Sequence, residues 1–108
     1  MAQRAPDLGG TWIGKTEVPG VGLTEITLVL KKVDKGYGGT IASGNQAVIS
    51  GSPEIKDVTA DGEKLEFVFP LADGTLLLMK LAVAGGRMTG RWEHPSGSTG
   101  AVELARKK

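Results

Sequence analysis

The sequence predicts an all-β protein, an antiparallel up-and-down (meander) β-barrel of about eight strands with little or no helix. Turn signals such as Asp-Gly, Gly-Gly and Pro-Gly recur about every ten to fifteen residues. Between the turns, apolar and polar residues alternate with a period of two, and no long stretch has a helical period. Short connections favour pairing of successive strands, and closure into a barrel pairs the first strand with the last and removes exposed edges.

Length, charge and composition narrow the class of protein further. The 108 residues predict one domain over 1–108, in which residues 1–8 form a flexible N-terminal arm. The formal net charge of +1 argues against nucleic acid as a partner, and no apolar run is long enough to span a membrane. The chain has no cysteine, which excludes disulfides and thiolate metal ligands. The opening MAQRAPD is what a trimmed secretory leader could leave behind, which favours a periplasmic or secreted location over the cytoplasm.

The first half of the chain contains three clear strands and one ambiguous region. The clear strands are predicted at residues 11–18, 23–32 and 37–43, separated by the turn sequences VPGVG and DKGYGG. The stretch 43–60 is broken by SGNQ and GSP into two short pieces, 46–50 and 54–60. These pieces are either two strands or one bent strand, so the total is nine or eight.

The second half of the chain is predicted to contain four strands. They cover residues 63–69, 75–83, 87–93 and 99–106, and the turns ADG, LADG, AGG and HPSGSTG separate them. In KLEFVF, Leu65, Phe67 and Phe69 share one face, which is the alternation of a strand with one side in the core.

The strand at 75–83 is unusual because it is apolar on both faces. Leu76 and Leu78 lie on its outer face, where Val68 of the preceding strand joins them. Monomeric barrels seldom expose such a patch, so these three residues are predicted to form a subunit interface, with a two-fold homodimer as the default. Alternatively, the strand is covered by the N-terminal arm or by the 43–53 loop.

The inward positions define a candidate binding site. The residues predicted to line the barrel interior and contact a ligand are Trp12, Leu28, Leu30, Ile41, Phe67, Phe69, Met79, Met88 and Trp92. Nearly all interior side chains are apolar, so the predicted ligand is a small hydrophobic molecule. The alternative is a packed core without ligand, in which case the protein is a structural or protein-interaction module. Catalysis ranks behind both.

Residues able to carry chemistry are few. His94 is the single histidine and lies just past a strand end, where an exposed turn residue is favoured over a general base or metal ligand. Most carboxylates fall at turns or on outward faces, so no inward pair is available for acid–base work. The sequence therefore predicts no catalytic residues, no metal site and no cofactor.

Three residues carry a resemblance to a known group of barrels. Gly10 and Trp12 form a Gly-x-Trp motif on the first strand, and Arg106 lies near the end of the last strand. In this the chain resembles the calycin group of lipocalins, fatty-acid-binding proteins and avidins. In lipocalins an arginine near the end of the barrel covers that tryptophan, which implies a structural closure formed here by Gly10, Trp12 and Arg106.

A second resemblance concerns the GTWxG start, the segment DGEKLEFVFP and the late Gly-x-Trp. These are similar to small β-barrel modules found alone or ahead of bacterial serine hydrolases. The chain departs from typical lipocalins in being shorter and in lacking a cysteine pair and a helix after the barrel. Only two tryptophans are present, which argues against an avidin-type biotin site.

Overall fold

A computed structural model describes residues 8–33, 36–61 and 63–107, and within these ranges every regular element is a β-strand. The strands are β1 (Gly10–Val18), β2 (Gly22–Val33), β3 (Gly36–Ser43), β4 (Lys56–Asp61), β5 (Lys64–Pro70), β6 (Leu76–Ala84), β7 (Arg87–Glu93) and β8 (Thr99–Arg106). The described residues contain no helix that could cross a membrane. The all-β prediction is confirmed.

All eight strands belong to one antiparallel sheet in the order β3-β2-β1-β8-β7-β6-β5-β4. The predicted pairing of the first strand with the last is confirmed: Trp12 lies opposite Arg106, and Thr16 lies opposite Val102. Successive strands pair everywhere except between β3 and β4. There the sheet is joined by a single bridge between Thr40 and Glu54, so the barrel is nearly closed.

The residues just before β4 complete this closure. The Ile41 N–H donates to the Pro53 carbonyl (3.1 Å), and the Ile55 N–H donates to the Gly39 carbonyl (3.0 Å). The segment 53–55 thus takes the place that a longer β4 would occupy beside β3. It leaves the two edges only partly exposed, which limits pairing with other chains.

The prediction of a strand at 46–50 was wrong, because local hydrogen bonds to the side chain and the backbone of Asn45 hold this segment in turns. The Asn45 side chain accepts a hydrogen bond from the Ala47 N–H (2.9 Å), and the Asn45 carbonyl accepts one from the Val48 N–H (3.0 Å). Such local bonds compete with a strand ladder. The predicted strand 54–60 is reduced to β4, whose register shifts between Lys56 and Thr59. The described residues therefore form eight strands.

Glycines such as Gly14 and Gly90 allow neighbouring strands to approach closely. A Cβ at Gly14 would overlap the Glu103 carbonyl of β8, and a Cβ at Gly90 would overlap the Lys80 carbonyl of β6. Glycine at a strand interior permits such close backbone approach and the sharp bending that a small barrel requires.

One end of the core includes a residue that the sequence placed in the N-terminal arm. Leu8 is buried, with 1% of its surface exposed, and packs with the other apolar side chains of the interior. The remainder of the expected arm, residues 1–7, lies outside the described residues.

Candidate ligand-binding pocket

One end of the barrel is sealed by Trp12 and its neighbours. The Trp12 side chain is fully buried, and the Arg106 guanidinium carbon lies 4.4 Å from the centroid of its ring. Trp12 Nε1 donates to the Leu8 carbonyl (2.9 Å), and the Leu8 N–H donates to the Tyr37 hydroxyl (3.1 Å). A cation over the face of an indole is stabilised by the ring quadrupole, and the paired indole N–H leaves no polar atom exposed to the core.

The glycine of the Gly-x-Trp motif belongs to the same closure. Gly10 has a φ of 123°, and a Cβ at this position would lie 3.2 Å from Arg106 Nη1. That nitrogen donates to the Gly9 carbonyl (2.5 Å). The structure therefore brings together the three residues of the expected closure, with glycine at a backbone conformation that other residues rarely adopt.

The opposite end of the barrel contains a pocket of about 240 Å³. It lies where β1, β5 and β7 finish and β2 and β6 begin. Its walls are mostly apolar or aromatic and its polar groups are hydroxyls, an indole and an imidazole. The lining residues are Thr16, Val18, Pro19, Ile26, Val48, Ile49, Phe69, Leu71, Leu77, Met79, Trp92, His94, Ser96 and Ser98. A concave apolar site with a few polar groups is typical of small-molecule binding.

The residues predicted to contact a ligand divide between this pocket and the packed core. Phe69, Met79 and Trp92 line the pocket. The other six are buried and do not line it: Trp12, Leu28, Leu30, Ile41, Phe67 and Met88. The interior is thus filled over one part of its length and hollow over the other.

The segment 44–53 closes over the pocket end of the barrel. Ile49 is 1% exposed and Val48 is half-buried, and both line the pocket. The Gly44 N–H donates to the Glu25 carbonyl (2.8 Å), and the Ala72 N–H donates to the Val48 carbonyl (3.0 Å). These lining residues were missed from the sequence because the segment was interpreted as a strand, although its isoleucine and valine mark it as partly apolar.

The polar atoms deep in the pocket wall are already paired. Trp92 Nε1 donates to Thr16 Oγ1 (3.0 Å), and that hydroxyl donates to the Ala101 carbonyl (2.6 Å). A Cβ at Gly100 would lie 2.5 Å from the Trp92 ring, so glycine lets the indole lie flat against β8. Across the described residues, no buried side-chain nitrogen or oxygen is left without a partner.

The rim of the pocket carries a small polar cluster in the turn between β7 and β8. His94 Nδ1 lies 2.9 Å from Ser96 Oγ and accepts a hydrogen bond from the Ser96 N–H (3.1 Å). The Ser96 hydroxyl in turn lies 3.4 Å from Ser98 Oγ. His94 is a turn residue, as expected, but it is only partly exposed and is one of the residues that line the pocket.

The carboxylate of Asp73 lies near enough to the rim to interact electrostatically with His94. Hydrogen bonds from the backbone and the side chain of Thr75 lower the pKa of Asp73, and the charge of His94 contributes in the same direction. The Thr75 N–H donates to Asp73 Oδ1 (2.9 Å). Of the residues that the structure describes, no Lys, Arg, Asp or Glu lines the pocket itself. No group of three His, Asp or Glu side chains in the described ranges is arranged to hold a metal ion.

The predicted interface residues lie on the outside of the barrel. Val68 of β5 pairs with Leu78 of β6, and Pro70 pairs with Leu76. Leu76 is 51% exposed, and Val68 and Leu78 are half-buried, while the 44–53 segment lies at the barrel end. Beside this patch, Lys80 of β6 forms an ion pair with Glu93 of β7 (3.6 Å).

Comparison with known proteins supports the architecture. No protein-family profile and no curated protein matches the chain in sequence. A de novo designed fluorescence-activating β-barrel is similar in structure, with a TM-score of 0.68 and 17% identity over 99% of this chain and 100% of that chain. A mutant of the fluorescent protein UnaG has a TM-score of 0.57 and 17% identity over 94% of this chain and 96% of that chain. The chain is therefore a small antiparallel up-and-down β-barrel.

Proposed function

We propose that this protein is a lipocalin-like barrel that binds a small hydrophobic molecule in the pocket beneath the 44–53 segment. The observation that carries the proposal is an apolar pocket of about 240 Å³ whose deep polar atoms are already paired. Such a site gains free energy by removing an apolar ligand from water without leaving a polar wall atom unsatisfied.

The lipocalin-like part of the proposal rests on the sealed end. Gly10, Trp12 and Arg106 meet there in the arrangement that the resemblance implies. The resemblance to barrel modules that accompany bacterial serine hydrolases rests only on the quoted sequence motifs and adds no function to the pocket.

The proposal is tested by titrating indane, an apolar bicyclic hydrocarbon, and following the two indole N–H signals in ¹H–¹⁵N spectra. The Trp92 signal is expected to shift saturably because the ring lines the pocket. The Trp12 signal, at the sealed end, serves as an internal control. If indane moves neither signal, or moves both equally, the proposal is wrong.

A pair of matched substitutions tests whether the ligand binds in this pocket and not elsewhere on the barrel. Val48→Phe adds a ring at a pocket-lining position, whereas Val33→Phe adds the same ring at an exposed position that does not line the pocket. The first variant is expected to lose at least about tenfold in affinity, and the second is expected to bind as the parent does. Equal binding by both variants would place the ligand elsewhere.

A second candidate function is self-association through the outer patch of Val68, Pro70, Leu76 and Leu78. Two apolar cross-strand pairs side by side, with a leucine half exposed, favour it. A second copy of this chain is the partner we propose, because an isologous two-fold contact lets the patch bury itself. This function is compatible with ligand binding, since the patch and the pocket use different residues.

A further inference from the structure

The deep part and the rim of the pocket differ in whether their polar atoms can hydrogen-bond to a ligand. Its deep polar atoms, Trp92 Nε1 and Thr16 Oγ1, are engaged with each other and with the Ala101 carbonyl. A polar group of a ligand placed there would lose its water without gaining a partner. The deep part of the site therefore accepts an apolar body.

The rim offers hydrogen bonds that the deep part does not. Because His94 Nδ1 accepts the Ser96 N–H, the neutral ring carries its proton on Nε2. Within the described residues, Nε2 has no hydrogen-bond partner, and the Ser96 hydroxyl, whose proton is directed to Nδ1 or to Ser98 Oγ, can still accept. A ligand hydroxyl or carbonyl oxygen at the rim can thus accept a hydrogen bond from Nε2–H, and a ligand hydroxyl can also donate to Ser96 Oγ.

The charges around the rim restrict which polar group is suitable. Among the described residues no Lys or Arg lines the pocket, so an anionic head would lose hydration without meeting a permanent cation. Asp73 lies within electrostatic reach of His94 and adds repulsion against a carboxylate. A neutral hydroxyl or carbonyl avoids both costs.

The volume sets the size of the ligand. An engineered protein cavity of about 150 Å³ holds benzene. A pocket of about 240 Å³ scales to a body of about ten non-hydrogen atoms, which is the size of two fused rings.

We infer that the site selects small neutral amphiphiles, an apolar body of about ten non-hydrogen atoms that carries one hydroxyl or carbonyl group held at His94 and Ser96. This inference rests on the proposed function, because it assigns the ligand class of the same pocket. It makes His94 and Ser96 specificity residues for the head group, and Trp92, Phe69 and Met79 contacts for the apolar body.

The test compares 2-indanol, indane and indane-2-carboxylate at mildly alkaline pH, with the Trp92 indole signal as the readout. One hydrogen bond is expected to make the alcohol bind about fivefold more tightly than the hydrocarbon. The carboxylate is expected to bind more weakly than the hydrocarbon. The variants His94→Ala and Ser96→Ala are expected to remove the advantage of the alcohol over indane, measured as the ratio of the two affinities within each variant. Ser52→Ala, at an exposed serine that does not line the pocket, is the control and should leave the order unchanged.

The outcomes separate this inference from the proposed function. Indane binding at Trp92 without an advantage for the alcohol, or with an advantage that persists in His94→Ala, overturns the head-group assignment and leaves the pocket function standing. Tighter binding of the carboxylate than of the alcohol also overturns the assignment. Failure of all three compounds to move the Trp92 signal overturns both.

Discussion

The guanidinium of Arg106 lies over the ring of Trp12, 4.4 Å from its centroid. This contact covers one end of the barrel, whereas the other end contains the pocket. At the Trp12 end, the indole, its bond to Leu8 and the overlying arginine fill and cover the interior. At the Trp92 end, the indole is one wall of a hollow. The two tryptophans, both preceded by Gly-x, therefore serve as a structural seal and as a pocket wall.

Removal of the sealing tryptophan is expected to destabilise the fold. Trp12→Ala should lower the free energy of unfolding by about 3–5 kcal/mol, because Trp12 is fully buried and its loss leaves a cavity under Arg106. Urea denaturation of the parent and the variant measures this difference. Trp12→Phe, which retains much of the volume and a ring for the arginine, should lose clearly less. A loss below about 1 kcal/mol for the alanine variant would contradict the role of Trp12 as a seal.

The close approach of β1 and β8 is expected to depend on glycine. Gly14→Ala should cost at least about 1–3 kcal/mol, because the added methyl group would overlap the Glu103 carbonyl. Gly38→Ala is the matched control, since a Cβ there meets only the Val33 side chain at an ordinary 3.8 Å. Thermal denaturation of both variants is the measurement. Equal stability of the two variants would mean that the close approach of β1 to β8 does not require glycine at position 14.

The outer patch is expected to mediate self-association. Leu76→Glu introduces a charge at the half-exposed centre of the patch and should shift the protein towards monomer in sedimentation velocity at high concentration. Leu23→Glu, at a leucine that is 68% exposed on β2, is the control and should not change the oligomeric state. A parent protein that is monomeric at every concentration would exclude the dimer.

The turn that carries Asp73 is expected to weaken in acid. Hydrogen bonds from Thr75 favour the charged carboxylate and lower its pKa from the usual 3.8. The stabilisation is therefore fully present above the unfolded-state pKa and is lost as pH falls through the lower folded-state value. A ¹³C titration of the Asp73 carboxyl group should give a midpoint below 3.8. The midpoint should return towards the usual value when Thr75→Pro removes the N–H donor and the hydroxyl. A midpoint at or above 3.8 in the parent would contradict the hydrogen bonds described for this turn.

Much of the barrel could be predicted from the sequence because each strand presents one face to the core. Period-two alternation placed Leu28, Phe67 and Met79 inside, and all three are buried. The segment 44–53 could not be predicted in the same way, because hydrogen bonds to Asn45 and Ser43 hold it in turns although its composition permits a strand.

The position of the pocket also could not be predicted from the alternation of apolar and polar residues. A period of two assigns a residue to a face but not to a depth along the barrel, so alternation alone does not distinguish Trp12 from Trp92. Their difference arises from long-range partners, Arg106 for the first and Thr16 for the second. The rim cluster likewise depends on the turn that brings Ser96 back to His94.

A crystal structure of the protein soaked with iodobenzene tests most directly whether the barrel is sealed at Trp12 and receives an apolar ligand at Trp92. The anomalous scattering of iodine identifies the position of the ligand in an anomalous difference map. We predict one strong anomalous peak in the pocket between Phe69, Leu77 and Trp92, and none beside Trp12. An empty pocket at saturating concentration, or a peak beneath Arg106, would contradict the account.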